Sequence, residues 1–326
     1  MTSTTPAETP ATPSPDPALR VLAVVGPTGV GKTALAEELA LRLSGEIVSA
    51  DSMQVYRGMD IGTAKPAPEH RRVPYRCLDL VDPGEPFSAA LYQQAARAAI
   101  ADIATRGLLP IVAGGTGLYV RAALDAMEFP RGELADNPAR DRYEAYAREQ
   151  GPEALWAMLC ERDPASARLL HANNVRRVVR ALEMLDEGTS YAEKAAGFSR
   201  RESVYDARFI GLTMERDRLY ARIDERVDEM VAAGLLGEVE CLLDAGFRDA
   251  LTAAQAIGYK ELVPVVEGRA ELGDALAAIK QATRRYAKRQ LTWFRADPRI
   301  AWIDVTELSL FAAAHAAMGT LDWSAR

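Results

Sequence analysis

Apolar positions fall into two registers along the chain. Short unbroken runs at 21–25 and 108–113 are too brief for helices and suit strands buried on both faces. Strand-like segments at 46–50, 208–213 and 300–305 join them, and 77–81 reads as one more short strand. Between these runs, apolar residues recur at helical spacing over 34–43, 88–105 and 216–233, and helical patterns continue to about 295. Strand and helix alternate, which predicts an α/β fold built on a doubly wound parallel sheet. The alternation stops between about 131 and 198. There, only helical patterns remain, broken by Asn137-Pro138, Gly151-Pro152 and Asp163-Pro164, pairs that can start helices. The expected division is a tail at 1–18, a core from 19–130 and 206–326, and an all-helical insertion at 131–205.

Composition narrows the class. Apolar residues make up 48% of 326, enough for a packed core. No apolar run approaches the 18 or so residues of a membrane span, so no membrane partner is expected. The Thr-, Pro- and Ala-rich start carries only Glu8 and Asp16 as charges and reads as a flexible tail. It has neither the pattern of a secretion signal nor the arginines of a transit peptide, which makes a cytoplasmic protein the expectation. Cys77, Cys160 and Cys241 form no C-x-x-C pair, and with three His in the chain they suggest buried inert thiols rather than a metal centre or disulfides.

A net charge of −7 argues against nucleic acid, but local charge argues for it. Between 280 and 299 stand seven basic residues (Lys280, Arg284, Arg285, Lys288, Arg289, Arg295, Arg299) and a single acid, Asp297. Arg176, Arg177 and Arg180 lie in an acid-free stretch of the insertion. Such patches govern electrostatic binding more than the total does.

The clearest chemical signal is Gly26-Pro27-Thr28-Gly29-Val30-Gly31-Lys32-Thr33, a complete phosphate loop (P-loop) of the form G-x-x-x-x-G-K-[ST]. It sits between a predicted strand and a predicted helix, where backbone N–H groups can wrap a phosphate at a helix N-terminus. Lys32 adds a point charge and the Thr33 hydroxyl can hold Mg²⁺. The loop alone does not name the phosphate compound.

Asp51 follows the second strand, at the edge where open α/β sheets bind ligands. It could take a proton from a substrate, or it could simply cap a turn. Gly114-Gly115-Thr116-Gly117 reads at its plainest as a strand-to-helix turn, and the strand before it ends without the acid that phosphate-loop ATPases use for Mg²⁺. Arg218, Arg222 and Arg226 form one stripe on a helix, either a solvated face or a source of a phosphate-binding fork. Asn173 or Asn174 is the expected cap of the helix that carries Arg176, Arg177 and Arg180. Their side chains could track an RNA backbone or merely face solvent. Trp293 is expected in the core, with the charges around it on phosphate.

Several motifs together resemble the tRNA dimethylallyltransferase family, also called IPP transferases. They are the phosphate loop, Asp51-Ser52-Met53-Gln54-Val55-Tyr56-Arg57-Gly58-Met59-Asp60-Ile61-Gly62-Thr63-Ala64-Lys65-Pro66, Gly114-Gly115-Thr116-Gly117-Leu118-Tyr119, Gln255-Ala256-Ile257-Gly258-Tyr259-Lys260-Glu261, and Tyr286 through Arg295. The resemblance implies a P-loop NTPase-like core and transfer of a dimethylallyl group from dimethylallyl diphosphate to N6 of the adenosine just 3′ of the anticodon, in tRNAs reading codons that start with U. The loop would then hold the donor's diphosphate, with Mg²⁺ at Thr33. Asp51 would be the base, and Lys32 and Arg226 would stabilise the leaving group. The tRNA contacts it implies are Asp51, Ser52, Met53, Gln54, Thr116, Arg140, Arg176, Arg177 and Arg180, on an anticodon stem-loop, with a monomer as the working unit. Met53 stands where the family often has Arg, so no base contact is assigned to it. The alternatives are a transferase that prenylates free AMP, a phosphate-loop kinase, and an inactive RNA-binding module. Intact Lys32, Thr33 and Asp51 argue against the last.

Overall fold

The structure is a computed structural model that describes residues 14–129 and 137–321. Most of the predicted tail, and the junction at 130–136 where the insertion was expected to begin, lie outside the described residues. Contacts divide the chain into two compact units, Met1–Asp125 with Ser203–Arg326, and Ala126–Glu202.

The larger unit is built on a six-stranded sheet. In chain order it contains β1 (Arg20–Val25), α1 (Lys32–Leu43), β2 (Gly45–Ser49), β3 (Tyr75–Arg76), α2 (Ala89–Thr105), β4 (Leu109–Gly114) and α3 (Gly117–Leu124). The strands stand in the order β3-β2-β4-β1, continued by two later strands, and every pairing is parallel. Residues 21–25 are fully buried, as a strand covered on both faces requires. Each such Val or Leu contributes about 1.5–3 kcal/mol of burial.

The smaller unit is helical: α4 (Pro138–Gln150), α5 (Pro152–Arg162), α6 (Pro164–Ala167), α7 (Val175–Asp186) and α8 (Tyr191–Ser199). Proline opens α4, α5 and α6, and the Asn137 and Asp163 side chains cap α4 and α6. Tyr143, Leu155, Leu159, Val178 and Leu182 form its core. Asn174 holds the N-cap position of α7, but its side chain makes no capping bond, contrary to expectation.

The chain then returns to the sheet with β5 (Asp206–Thr213) and continues through α9 (Arg216–Ala232), α10 (Leu235–Asp244), α11 (Tyr259–Val266), α12 (Leu272–Arg295), β6 (Ile300–Asp304) and α13 (Leu310–Gly319). β1 leads across β4 to β2, whereas β4 leads back across β1 to β5. The topological switch point therefore lies between β1 and β4, and the loops after β1, β2 and β4 meet at one edge.

The strand expected at 77–81 is not formed. Cys77 and Asp79 take left-handed backbone angles (φ 62° and 54°), incompatible with a continuous strand. The pairing falls instead on Tyr75 and Arg76, which align with Ile47 and Val48, and Val81 makes only an isolated bridge to Tyr56. The cysteines also depart from expectation. Cys77 is buried, with its thiol pushed up to about 12 by burial, but Cys160 is half-buried and Cys241 exposed. Among the described residues no helix is long and apolar enough to cross a membrane.

Candidate active site

The phosphate loop turns directly from β1 into α1. Gly26 (φ 145°) passes so close to β5 that a Cβ there would lie 2.7 Å from the Leu212 carbonyl oxygen, which only glycine permits. Gly31 ends the loop in a left-handed conformation, and α1 starts with neither a side-chain cap nor an acid in its first turn. The helix N-terminus is thus left open to an anion.

Lys32 donates to the Pro27 carbonyl over 2.6 Å and makes no ion pair among the described residues. Burial, reinforced by the nearby Arg226 guanidinium and opposed by Asp51, pulls its ammonium down to about 7. Arg226, projecting from α9, likewise lacks an ion-pair partner among the described residues. Burial lowers its pKa, while the Asp51 carboxylate raises it. Two partly buried cations thus face one carboxylate without a salt bridge, an arrangement that costs free energy until an anion arrives.

Asp51 stands two residues beyond β2. Its Oδ1 accepts the Met53 N–H at 2.9 Å, so the turn-cap reading is correct as far as it goes, and that bond helps fix the carboxylate. The Ser52 N–H donates to Thr116 Oγ1 (3.0 Å), which ties this turn to the one after β4. Tyr286 lies beside them, its phenol raised to about 12 by burial and by the Asp51 charge. A cavity of about 470 Å³ opens here. Thr28, Asp51, Ser52, Met53 and Arg226 line it, Ile223, Val227, Met230, Leu235 and Ile279 form an apolar wall, and the run 255–260 closes another side.

The loop after β2 is held from afar. Glu238 on α10 accepts the N–H groups of Asp60, Ile61 and Gly62 (3.0, 2.7 and 3.1 Å) and the Tyr259 hydroxyl (2.6 Å). Buried Lys65 pairs with Asp60 (2.5 Å) and Asp79 (2.6 Å) and donates to the Tyr56 carbonyl (2.8 Å).

A model of the IPP transferase family matches residues 54–297. The chain belongs to that family. A second model, described as isopentenyl transferase, matches 19–77. The chain is 49% identical to the tRNA dimethylallyltransferase of Geobacillus kaustophilus over 90% of its own length and 93% of that protein's. Among solved structures, the tRNA isopentenylpyrophosphate transferase of Bacillus halodurans is 44% identical with a TM-score of 0.66, over 92% of this chain and 96% of that one. A eukaryotic dimethylallyltransferase, captured crystallographically acting on tRNA, is 29% identical with a TM-score of 0.79, over 92% of this chain and 78% of that one.

The expected site residues of this family member divide into three groups. Thr28, Asp51, Ser52, Met53 and Arg226 share the cavity, with Lys32 in electrostatic contact with Asp51 and Arg226. Thr33, the second residue of α1, is exposed. Gln54, by contrast, is committed inside its own loop. Its Oε1 accepts from the Ser49 hydroxyl (2.9 Å) and its Nε2 donates to the Thr63 carbonyl (3.2 Å). In the helical unit, Arg176 and Arg177 are exposed. Arg140 and Arg180 both bind Glu183, which is 1% exposed, at 2.7 Å. Arg140 therefore ties α4 to α7, while Arg180 neutralises the same carboxylate from within α7, duties that sequence spacing did not reveal.

Gln290 and Glu238 were missed as individual site residues. Gln290, 5% exposed, accepts the Thr28 N–H (2.8 Å) and donates to the Gly115 carbonyl (2.9 Å), bracing the phosphate loop against the turn after β4. Neither residue belongs to a local pattern that announces such a bond. The Trp293 expectation also fails, because the ring is 40% exposed. Its edge lies over Gly117, where a Cβ would approach within 2.1 Å of the indole.

Proposed function

We propose that this chain transfers a dimethylallyl group from dimethylallyl diphosphate to N6 of the adenosine just 3′ of the anticodon in tRNA, with the anticodon stem-loop as the recognised part. The cations Lys32 and Arg226, without an ion pair among the described residues and facing Asp51 at a cavity with an apolar wall, are the observation that supports it most. The diphosphate would occupy the phosphate loop. Its oxygens would meet loop N–H groups, the Lys32 ammonium and the Arg226 guanidinium, while Ile223, Val227 and Met230 receive the hydrocarbon. The allylic C–O bond breaks with its electron pair leaving on diphosphate. The N6 lone pair forms the new C–N bond, and the N6 proton passes to Asp51. Preorganised donors on the leaving group contribute on the order of 10²–10³ in rate each. The adenine must leave the anticodon stack to reach Asp51.

Mg²⁺ fits the residues present. The Thr33 hydroxyl makes no intrachain hydrogen bond among the described residues, and those residues contain no group of three His, Cys, Asp or Glu able to cage an ion. A single hydroxyl with diphosphate oxygens and water suits this cation. When bound there it would neutralise charge on the departing diphosphate.

The reading that competes is prenylation of free AMP. Against it stand the exposed arginines of α7 and of α12, more cations than the phosphate of a mononucleotide needs. An anticodon stem-loop and AMP offered separately with dimethylallyl diphosphate discriminate them. Prenyl transfer to the stem-loop is expected, with no ATP turnover above background. Transfer to AMP alone would refute the proposal.

A further inference from the structure

Along α12, Arg285, Arg289 and Trp293 recur every four residues and so form one stripe. Arg285 and Arg289 line the cavity. Trp293 stands one turn beyond Arg289, exposed, with its edge over Gly117 next to Thr116. The nearby Lys280, Arg284 and Arg299 are consumed by Asp228, Asp224, Asp125 and Asp297. Arg285, Lys288, Arg289 and Arg295 make no ion pair among the described residues, and all four are exposed. An exposed indole inside a row of uncompensated cations, leading from a cavity that holds the base Asp51, matches the stacking platform and electrostatic track of single-stranded nucleic-acid sites.

We infer that Trp293 stacks on a nucleobase of the anticodon loop that flanks the target adenosine, while Arg285, Lys288 and Arg289 hold the adjoining phosphates. This rests on the tRNA reading above and adds a specific contact to it. The physical need is clear. A base that swings out of the loop leaves its neighbour without a stacking partner, and a rigid aromatic face next to Thr116 replaces that partner. Glycine at 117 lets the ring lie against the start of α3 and fixes its orientation.

The test uses the full chain, an unmodified anticodon stem-loop, and the variants Trp293→Ala and Trp293→Phe. Trp293→Ala is expected to weaken stem-loop binding about ten- to hundredfold. KM for dimethylallyl diphosphate and thermal stability should stay near the parent values. Trp293→Phe should retain most of the affinity, and the quenching of tryptophan fluorescence on RNA binding should be smaller in it than in the parent, by the share that Trp293 contributes. Stem-loop affinity of Trp293→Ala within twofold of a parent that prenylates the RNA would overturn the inference and leave the functional reading standing. Equal loss of donor and RNA binding would overturn it too, by giving Trp293 a structural role. A parent that does not prenylate the stem-loop would overturn the functional reading itself, and the inference with it.

Discussion

Gln290 accepts the backbone N–H of Thr28 over 2.8 Å, although 262 residues separate the two. Through its other amide end it holds Gly115, and Thr116 next to that holds Ser52 beside Asp51. These hydrogen bonds, joined by the Gly115–Thr116 peptide, tie the phosphate loop to the turn that carries Asp51. The loop and Asp51 are thus set relative to each other without any ligand, as the proposed group transfer requires.

Replacing Gln290 by Met keeps the volume but orphans the Thr28 N–H and the Gly115 carbonyl, at about 1–3 kcal/mol. The expected result is a fall of about five- to a hundredfold in kcat/KM for the donor. Gly115→Ala should produce the same defect, because its Cβ would lie 2.2 Å from Gln290 Nε2. Steady-state kinetics of the double variant check the link: the two losses should be far from additive.

Lys32 should give the proposed donor site a pH dependence. Its ammonium is pulled down to about 7 in the free protein, and only the protonated form attracts diphosphate. Donor affinity should therefore fall by up to about tenfold per pH unit above 7, and Lys32→Met should flatten that dependence. Titration calorimetry at several pH values measures it. The sign for stability follows from the same shift. A lysine with a lowered folded pKa destabilises the ligand-free fold fully below about 7, and this cost fades as pH rises towards the unfolded value of 10.5. Lys32→Met should accordingly raise Tm by at least about 2 °C near pH 6.5 and by little near pH 10.

The arginines of the helical unit should separate by role. Arg180→Glu places a second carboxylate beside buried Glu183 and is expected to cost about 2–4 kcal/mol of stability. Arg176→Ala and Arg177→Ala, at exposed positions, should leave the melting curve unchanged and each reduce the salt dependence of tRNA binding by about one ion. Thermal melts and binding at several salt concentrations distinguish the two classes.

The elements that carry an internal signal were legible in the sequence: unbroken apolar runs for β1 and β4, helical spacing for α2 and α9, a complete phosphate loop. What escaped depends on partners distant in the chain. Nothing near Asp60 announces that Glu238 will gather three of its loop's N–H groups, because that clamp forms only when α10 packs alongside. Arg226 was indistinguishable by spacing from Arg218 and Arg222 on its helix. Only the resemblance singled it out, and in the structure Arg218 pairs with Glu307 at the surface while Arg226 lines the cavity. Trp293 misled because hydrophobicity predicts burial, whereas its neighbour Phe294 takes the core position. Gln54 and Arg140 were marked for RNA by the resemblance, and in the structure their side chains are bound within the protein.

The central claim is that Asp51 takes the N6 proton during prenyl transfer to tRNA. The direct measurement is mass analysis of nucleosides from tRNA incubated with dimethylallyl diphosphate and either the parent or Asp51→Asn. The account predicts N6-isopentenyladenosine from the parent and at most a trace from Asp51→Asn, with tRNA affinity of the variant within a few-fold of the parent. Undiminished product from Asp51→Asn would contradict it.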